Sequence, residues 1–209
     1  QITVITGPAA AGKSTLVSEV ATSLRALEMD SDIVKRKFKE YDDGKGVASV
    51  HNESKDVLDL AMNRAIENGQ NMVVPKIGGS PRDIVNVTLK AQEAGYEVHV
   101  ICVDMPQNKV MERLLYRFAT TGRLVYPDLV ANVHADNPTR AYEEMAKTGI
   151  AKEKNAQVEL KSVRLMTADV PNSGPKFLPM KPDSWHGTGP DIRLKTKSGD
   201  TNLDTLVRE

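Results

Sequence analysis

The chain has 209 residues with 28 basic and 28 acidic side chains, so its formal net charge is zero, and 40% of its residues are hydrophobic. This composition is typical of one globular domain and excludes a disordered or fibrous protein. The lack of a basic excess argues against nucleic acid or an anionic membrane as a partner, and no apolar run is long enough to span a bilayer.

The cysteine content bears on the compartment. Cys102 is the only cysteine, so the chain can form neither an intramolecular disulfide nor a cysteine metal cage. The N-terminal residues also lack the pattern of a signal peptide. We therefore expect a reducing, cytoplasmic environment.

Strands and helices alternate along most of the chain. Residues 2–6 form a β-branched run that predicts a buried strand, and residues 13–27 have the apolar spacing of a helix. The alternation continues with a weak strand at 27–29, a helix at about 55–68, a strand at 71–74, a helix at about 82–94, a strand at 97–103 and a helix at about 107–120. Strands separated by such helices imply βαβ units and an α/β fold, with a parallel sheet flanked by helices.

The composition changes beyond residue 170. Five prolines and three glycines fall between residues 171 and 190, which excludes a regular helix or a central strand there. We predict one domain at residues 1–170 and a Pro/Gly-rich C-terminal extension at residues 171–209. The extension is expected to pack on the same domain and to end in a short hairpin near residues 192–200.

One motif is specific. Residues 7–14 match G-x-x-x-x-G-K-[ST] between a predicted strand and a predicted helix, the context that a phosphate-binding loop (P-loop) requires. Backbone N–H groups converge there on the β-phosphate, Lys13 reaches the β- and γ-phosphates, and the Ser14 hydroxyl is a ligand for Mg²⁺. The motif predicts binding of ATP or GTP with Mg²⁺. The predicted nucleotide-binding residues are Gly7, Pro8, Ala9, Ala10, Ala11, Gly12, Lys13, Ser14 and Thr15.

An aspartate pair follows the second predicted strand. Asp30 and Asp32 lie beyond its carboxyl end, where active sites of parallel sheets are found. An aspartate there could take the proton of an attacking hydroxyl, or it could simply cap a helix that begins near Ile33. We favour Asp32 as the base, with Asp30 as a substrate-binding neighbour.

Arginines cluster in residues 111–125. Arg113 and Arg117 are four residues apart and therefore on one helical face, and Arg123 follows Gly122. Arginines on a closing lid can stabilise the charge of a transferring phosphoryl group. The alternative is that they are solvated helix charges paired with residues such as Glu112. We favour the lid, with Lys13, Arg113 and Arg123 as catalytic cations and Arg117 as a substrate-binding residue.

Together the P-loop, the D-x-D sequence and the R-x-x-x-R-x-x-x-x-G-R-x-V helix resemble the zeta toxin family of P-loop kinases over roughly residues 1–150. The resemblance implies a P-loop kinase-like fold and transfer of a γ-phosphate to a hydroxyl of a nucleotide metabolite. It also implies that Asp32 is the base and that Arg113 and Arg123 belong to the lid. UDP-N-acetylglucosamine is the best known acceptor of the family, and a type III effector branch phosphorylates NAD on its adenosine ribose. Family members are commonly paired with an inhibitory antitoxin, and an effector would act inside a host cell.

The strand at residues 71–74 departs from the family pattern. The family places an acidic residue and a glycine at its end, whereas this chain has Pro75 and Lys76. Lys76 would favour an additional phosphate, such as a dinucleotide pyrophosphate, unless the change is only a loop adjustment. This favours NAD as the acceptor. His51 and Arg82, near helix starts, are further substrate-binding candidates.

Two classes of function follow from the sequence. The favoured one is a metabolite kinase acting as a toxin or effector, with NAD as the acceptor and UDP-N-acetylglucosamine as the alternative. The other is a nucleotide-dependent binding switch in which the missing acidic residue has abolished catalysis. An inhibitory antitoxin or a chaperone-like protein is the expected partner.

Overall fold

A computed structural model describes residues 1–44, 46, 48–121, 137–167, 178–179, 186–187, 193–196 and 199–202. The described strands are β1 Ile2–Thr6, β2 Leu27–Glu28, β3 Met72–Pro75, β4 Val98–Asp104, β5 Ile150–Glu153, β6 Ala156–Glu159, β7 Ser162–Thr167, β8 Leu178–Pro179, β9 His186–Gly187, β10 Arg193–Thr196 and β11 Gly199–Asn202. The described helices are α1 Lys13–Leu24, α2 Ser31–Lys35, α3 His51–Glu67, α4 Pro81–Glu93, α5 Gln107–Thr121 and α6 Asn137–Thr148, with a 3₁₀ helix at Lys39–Gly44.

The sheet has five parallel strands in the order β2-β3-β1-β4-β7. The central strand β1 pairs with β3 on one side and β4 on the other, so that Val4 lies opposite both Val74 and Val100. The short strands β8 and β9 pair antiparallel with β7 at the edge. Because the chain switches from one side of β1 to the other, a crevice forms at the carboxyl ends of the central strands.

Helices cover both faces of the sheet. Alternate residues of β1 and β4 pack against α3, α4 and α6 on one face and against α1 and α5 on the other. The strands are therefore apolar on both sides, as their sequences predict. The predicted α/β fold, a P-loop kinase-like parallel sheet flanked by helices, is confirmed.

Helix ends depart from the predicted positions for local reasons. The helix α1 stops at Leu24 because Arg25 is left-handed, with φ 49°, and the N–H of Ala26 donates to the Ala21 carbonyl at 2.8 Å. The helix α4 starts at Pro81, where the Ser80 N–H donates to the Asp83 carboxylate at 3.3 Å in a capping box.

The described features that were not predicted are α6, the β5–β6 hairpin, β7, the 3₁₀ helix and the short strands β8 and β9, and α2 was considered only as a helix that an aspartate could cap. The helix α2 has five residues, too few for a helical period to show. Strand β7 contains Arg164, which interrupts its apolar run although only 1% of that residue is exposed. A buried cation in a strand hides the pattern by which buried strands are recognised.

The C-terminal region contains only short strands among its described residues. Strands β10 and β11 pair antiparallel, with Thr196 opposite Gly199, close to the predicted hairpin. The predicted domain boundary at residue 170 lies outside the described residues and stays a prediction. Within the described part of the chain, no helix combines the length and the apolar character needed to cross a membrane.

His99 is buried in β4 at the end of the sheet opposite to the crevice. Its Nδ1 lies 2.8 Å from the Ser162 hydroxyl, and its Nε2 lies 3.8 Å from the Glu97 carboxylate. The pKa of His99 is lowered to about 4, chiefly by burial and also by Arg164 and Lys161, with Glu97 opposing them. The ring is therefore neutral in the folded protein near pH 5.

We predict that His99 makes the fold acid-sensitive. Because its folded pKa lies below the usual 6.5, the unfolded chain binds more protons between pH 6.5 and about 4. The free energy of unfolding should fall by about 3 kcal/mol across that window through His99 alone. Urea unfolding at several pH values should show a smaller fall for His99→Gln, and parallel curves for the two proteins would contradict the prediction.

Candidate active site

The P-loop joins β1 to α1 through residues held in left-handed conformations. Gly7 has φ 144°, and a Cβ built on it would collide with the Val103 carbonyl of β4. Ala10 and Gly12 have φ values of 59° and 86°, and Lys13 opens α1. Alternation of left- and right-handed residues turns successive N–H groups inward, which suits an anion.

Lys13 folds back over this loop. Its ammonium donates to the carbonyls of Gly7 and Pro8, both at 2.7 Å. The pKa of Lys13 is lowered to about 8, chiefly by burial and also by the nearby Arg117, while Asp30 and Asp32 are among the groups that oppose the shift. An anionic phosphate beside the ammonium would favour its charged form.

A first cavity of about 590 Å³ lies beside the P-loop. It brings together residues that follow β1, β2 and β3 with the face of α5, as expected at the carboxyl edge of a parallel sheet. Its lining includes Ala9, Ala10, Gly12, Lys13, Ser14, Asp30, Ser31, Asp32, Lys35, Lys76, Arg113 and Arg117. Most residues predicted for phosphate transfer thus share one cavity.

The two aspartates have different local roles. Asp30 is the N-cap of α2, and its Oδ1 accepts from the Asp32 N–H at 2.8 Å. The Asp32 carboxylate instead pairs with Lys35, with 3.1 Å between Oδ1 and Nζ. The aspartate that caps the helix is therefore Asp30, whereas the side chain of Asp32 forms an ion pair beside the cavity.

Two of the three arginines assigned to the lid belong to α5. Arg113 and Arg117 both line the first cavity. Leu115 and Tyr116, between them in sequence, are 62% and 72% exposed, so the arginine face is the one turned to the site. Arg123 lies outside the described residues, and its catalytic role stays a prediction.

A second cavity of about 580 Å³ lies between α3 and α4. It shares Ser31 and Lys76 with the first cavity, and His51 lines it from the start of α3. Burial lowers the pKa of Lys76, while Asp59 and Asp83 raise it. Lys76 is thus a partly desolvated cation at the junction of the two cavities.

Some predicted site residues lie outside both linings. Arg82 is exposed on the first turn of α4 and lines neither cavity. The loop residues Gly7, Pro8 and Ala11 and the helix residue Thr15 also lie outside the linings, although they belong to the P-loop segment. Their assigned roles stay predictions.

Lys35 is the charged residue at the first cavity that sequence reasoning missed. Its spacing of three residues from Asp32, on the helix that Asp30 caps, is the signal that could have identified it. The second cavity was missed as well, because a groove between two helices has no sequence motif by which it can be recognised.

The residues present fit a magnesium ion held mainly by phosphate oxygens. Among the described residues there is no group of three His, Cys, Asp or Glu side chains that could hold a metal. Mg²⁺ commonly takes one or two protein oxygens together with substrate phosphates and water. The Ser14 hydroxyl lies at the first cavity and can supply such an oxygen. Asp104, at the end of β4, accepts a hydrogen bond from Thr139 at 2.9 Å.

Comparison with models of known protein families shows the family of the chain. The model of the zeta toxin family matches residues 1–161 of the 209. The chain belongs to the zeta toxin family. This confirms the family that the P-loop, the aspartate pair and the lid helix indicated. No curated protein sequence matches the chain.

Solved structures share the fold of this zeta toxin family member. In the PezAT toxin–antitoxin system of Streptococcus pneumoniae, one chain aligns with a TM-score of 0.56 and 13% identity, covering 85% of this chain and 70% of that one. A chain of the AvrRxo1-ORF1:-ORF2 complex aligns with a TM-score of 0.58 and 14% identity, covering 99% of this chain and 63% of that one. The present chain therefore spans less than two thirds of the AvrRxo1 chain. At these identities the likeness shows a shared fold.

We predict that Gly78 is required for the shape of the P-loop. Gly78 has φ +68°, and a Cβ on it would lie 2.5 Å from the Thr6 Cβ, directly before the loop. The neighbouring Ile77 carbonyl accepts from the Gly7 N–H at 3.0 Å. Gly78→Ala should therefore displace the loop and weaken ATP binding roughly tenfold or more, as small displacements at binding sites do.

Gly69 provides a matched control for this measurement. It has φ +65° with nothing within 4 Å of a built Cβ. Gly69→Ala should lower the free energy of unfolding by about 1 kcal/mol through its left-handed backbone alone and leave ATP affinity unchanged. Calorimetric titration with a non-hydrolysable ATP analogue compares the two variants, and equal affinities would refute the role of Gly78.

Proposed function

We propose that the protein is a kinase that transfers the γ-phosphate of ATP or GTP to a hydroxyl of a nucleotide metabolite, acting as a toxin or effector. The observation that supports it is the single cavity lined by Lys13, Ser14, Asp32, Arg113 and Arg117. A phosphate-binding loop, a carboxylate and two guanidinium groups are the parts that phosphoryl transfer requires. Membership of the zeta toxin family supports the same reaction.

Each residue has a defined task in the proposed reaction. The acceptor oxygen bonds to the γ-phosphorus, its proton passes to the Asp32 carboxylate, and the bond from that phosphorus to the β–γ bridging oxygen breaks. The nucleoside diphosphate leaves with the electron pair of that bond. Lys13, Arg113 and Arg117 stabilise the charge on the phosphoryl oxygens, and we assign Arg123 to the same task. Mg²⁺, held by Ser14 and the phosphates, would neutralise part of the β- and γ-phosphate charge.

The second cavity supports a two-part acceptor. Because the cavities meet at Ser31 and Lys76, an acceptor that extends from Asp32 into the second cavity passes the Lys76 ammonium. A cation at that point suits a phosphate group in the middle of the molecule, as in a pyrophosphate-linked dinucleotide. The second cavity also contains apolar side chains and the amides of Asn63 and Asn86, which suit a base, and it has the charged side chains Lys55, Asp59, Asp83 and Lys90.

We favour NAD as the acceptor, phosphorylated on its adenosine ribose, and UDP-N-acetylglucosamine is the alternative. Both contain a pyrophosphate. The Pro75–Lys76 sequence stands where the family pattern has an acid suited to a sugar hydroxyl, which favours NAD. Labelled ATP incubated with NAD, with UDP-N-acetylglucosamine or with neither, followed by mass spectrometry, distinguishes them. Absence of any acceptor-dependent product would instead support a nucleotide-dependent binding switch without catalysis.

A neutralising protein is the proposed partner. The similar structures come from a toxin–antitoxin system and from a complex of two products, AvrRxo1-ORF1 and -ORF2. We propose that an inhibitory antitoxin or chaperone-like protein binds this chain, and that it acts in its own cytoplasm or in a host cell. Growth arrest on expression without the partner, relieved by a P-loop variant, would support this.

We predict that Asp32→Asn abolishes transfer and leaves nucleotide binding intact. Loss of the base should lower kcat by about 10²–10⁴-fold. The dissociation constant for ATP should change less than about threefold, because removing a carboxylate near the phosphates does not oppose their binding. The exposed Asp56, which lines neither cavity, provides the control Asp56→Asn with full activity expected. Full activity of Asp32→Asn would remove Asp32 from the mechanism.

We predict that Lys76 determines acceptor affinity. Lys76→Met should raise KM for the acceptor by roughly 10–100-fold, the effect of losing one charge-assisted hydrogen bond, while KM for ATP changes little. Lys152→Met, on the exposed part of the β5–β6 hairpin, is the control. Initial rates at varied acceptor concentration measure the effect, and an unchanged acceptor KM would contradict it.

A further inference from the structure

Lys35 has an unusual position for a lysine. Only 7% of it is exposed, although it is the last residue of the short helix α2 and the next two residues, Arg36 and Lys37, are exposed. It lines the first cavity, and its ammonium lies 3.1 Å from the Asp32 Oδ1. A buried ammonium is unfavourable unless it is paired, so the carboxylate of Asp32 is what makes this position tenable.

Asp32 is held at three points. The Asp30 carboxylate accepts from its N–H at 2.8 Å, and the Arg36 Nε donates to its carbonyl at 3.1 Å. These two contacts fix the backbone of Asp32. Of these three contacts, the one with Lys35 is made to the carboxylate itself. A hydrogen bond to one carboxylate oxygen restricts the rotation of the carboxylate and therefore the position of its second oxygen.

Stability alone does not account for this arrangement. An ion pair between residues three apart on a helix stabilises it only slightly when it is exposed, and burying such a pair seldom adds stability. A lysine needed only as a cation at the end of this helix could be exposed, as Arg36 and Lys37 are directly after it. Because Lys35 lines the first cavity, we infer that its ammonium has a role in the reaction proposed for that cavity.

We propose that Lys35 is a positioning residue that orients the Asp32 carboxylate toward the acceptor hydroxyl. The proposal rests on the proposed function, in which Asp32 accepts the acceptor's proton. In this role Lys35 takes no part in the proton transfer and acts through Asp32. The competing role is direct contact of the Lys35 ammonium with the transferring phosphoryl group.

The test compares substitutions at Lys35 in two backgrounds. In the otherwise native protein, Lys35→Met should lower kcat by about 10–100-fold, the scale of a misplaced catalytic group, with KM for ATP within about threefold. Lys35→Arg, which can still donate to the carboxylate, should restore most of the rate. Lys37→Met is the matched control, since it removes an exposed lysine two residues away and should leave kcat unchanged. Lys35→Gln, which keeps a donor without the charge, replaces Lys35→Met if that variant does not fold.

The second background is Asp32→Asn. If Lys35 acts through Asp32, adding Lys35→Met there should lower the residual rate by no more than about twofold. If Lys35→Met lowers the rate as strongly in the Asp32→Asn background as in the native protein, then Lys35 acts on the phosphoryl group. That result would overturn the proposal. If the residual rate is undetectable, failure of Lys35→Arg to recover activity overturns it.

The proposed function and this proposal fail in different ways. Full activity of Asp32→Asn would overturn the base and the positioning role together. An inactive Asp32→Asn beside a fully active Lys35→Met would overturn the positioning role alone. Thermal unfolding of each folded variant shows whether a change in rate merely follows a loss of structure.

Discussion

The strand β1 fixes the position of the whole candidate site. All five of its residues are buried, and it pairs with β3 and β4 along its length. Gly7 leaves its carboxyl end so close to β4 that no side chain fits there. The P-loop is thus anchored between two strands, and the residues that follow β2 and β3 reach it because parallel strands end at the same edge.

The sequence predicted the features that depend on local patterns. The P-loop, the alternation of strands and helices and the spacing of Arg113 and Arg117 follow from motif and period, and the fold and the family are confirmed. The strand β7 was missed because Arg164 interrupts its apolar run, and α2 shows no helical period because it is short. The pairing of Lys35 with Asp32 and the second cavity depend on how separate elements pack, which no local pattern records.

The zero net charge of the chain conceals an uneven distribution. Among the residues that line the first cavity, five cations face two carboxylates. The cations are Lys13, Lys35, Lys76, Arg113 and Arg117, and the carboxylates are Asp30 and Asp32. Such a local excess concentrates polyanions at the site while the rest of the surface balances it. The composition therefore argues only against bulk binding of nucleic acid, and it gives no information about a compact anionic ligand.

The two bonds from Lys13 to the loop carbonyls have a consequence for selectivity among anions. Binding of an anion at the loop would exchange these two carbonyl acceptors for anion oxygens around one ammonium. An incoming anion must replace two peptide carbonyls at 2.7 Å as well as its own hydration. A lone phosphate offers few oxygens for this exchange, whereas a triphosphate also engages the loop N–H groups and the arginines. This exchange therefore favours a long phosphate chain over a lone phosphate ion.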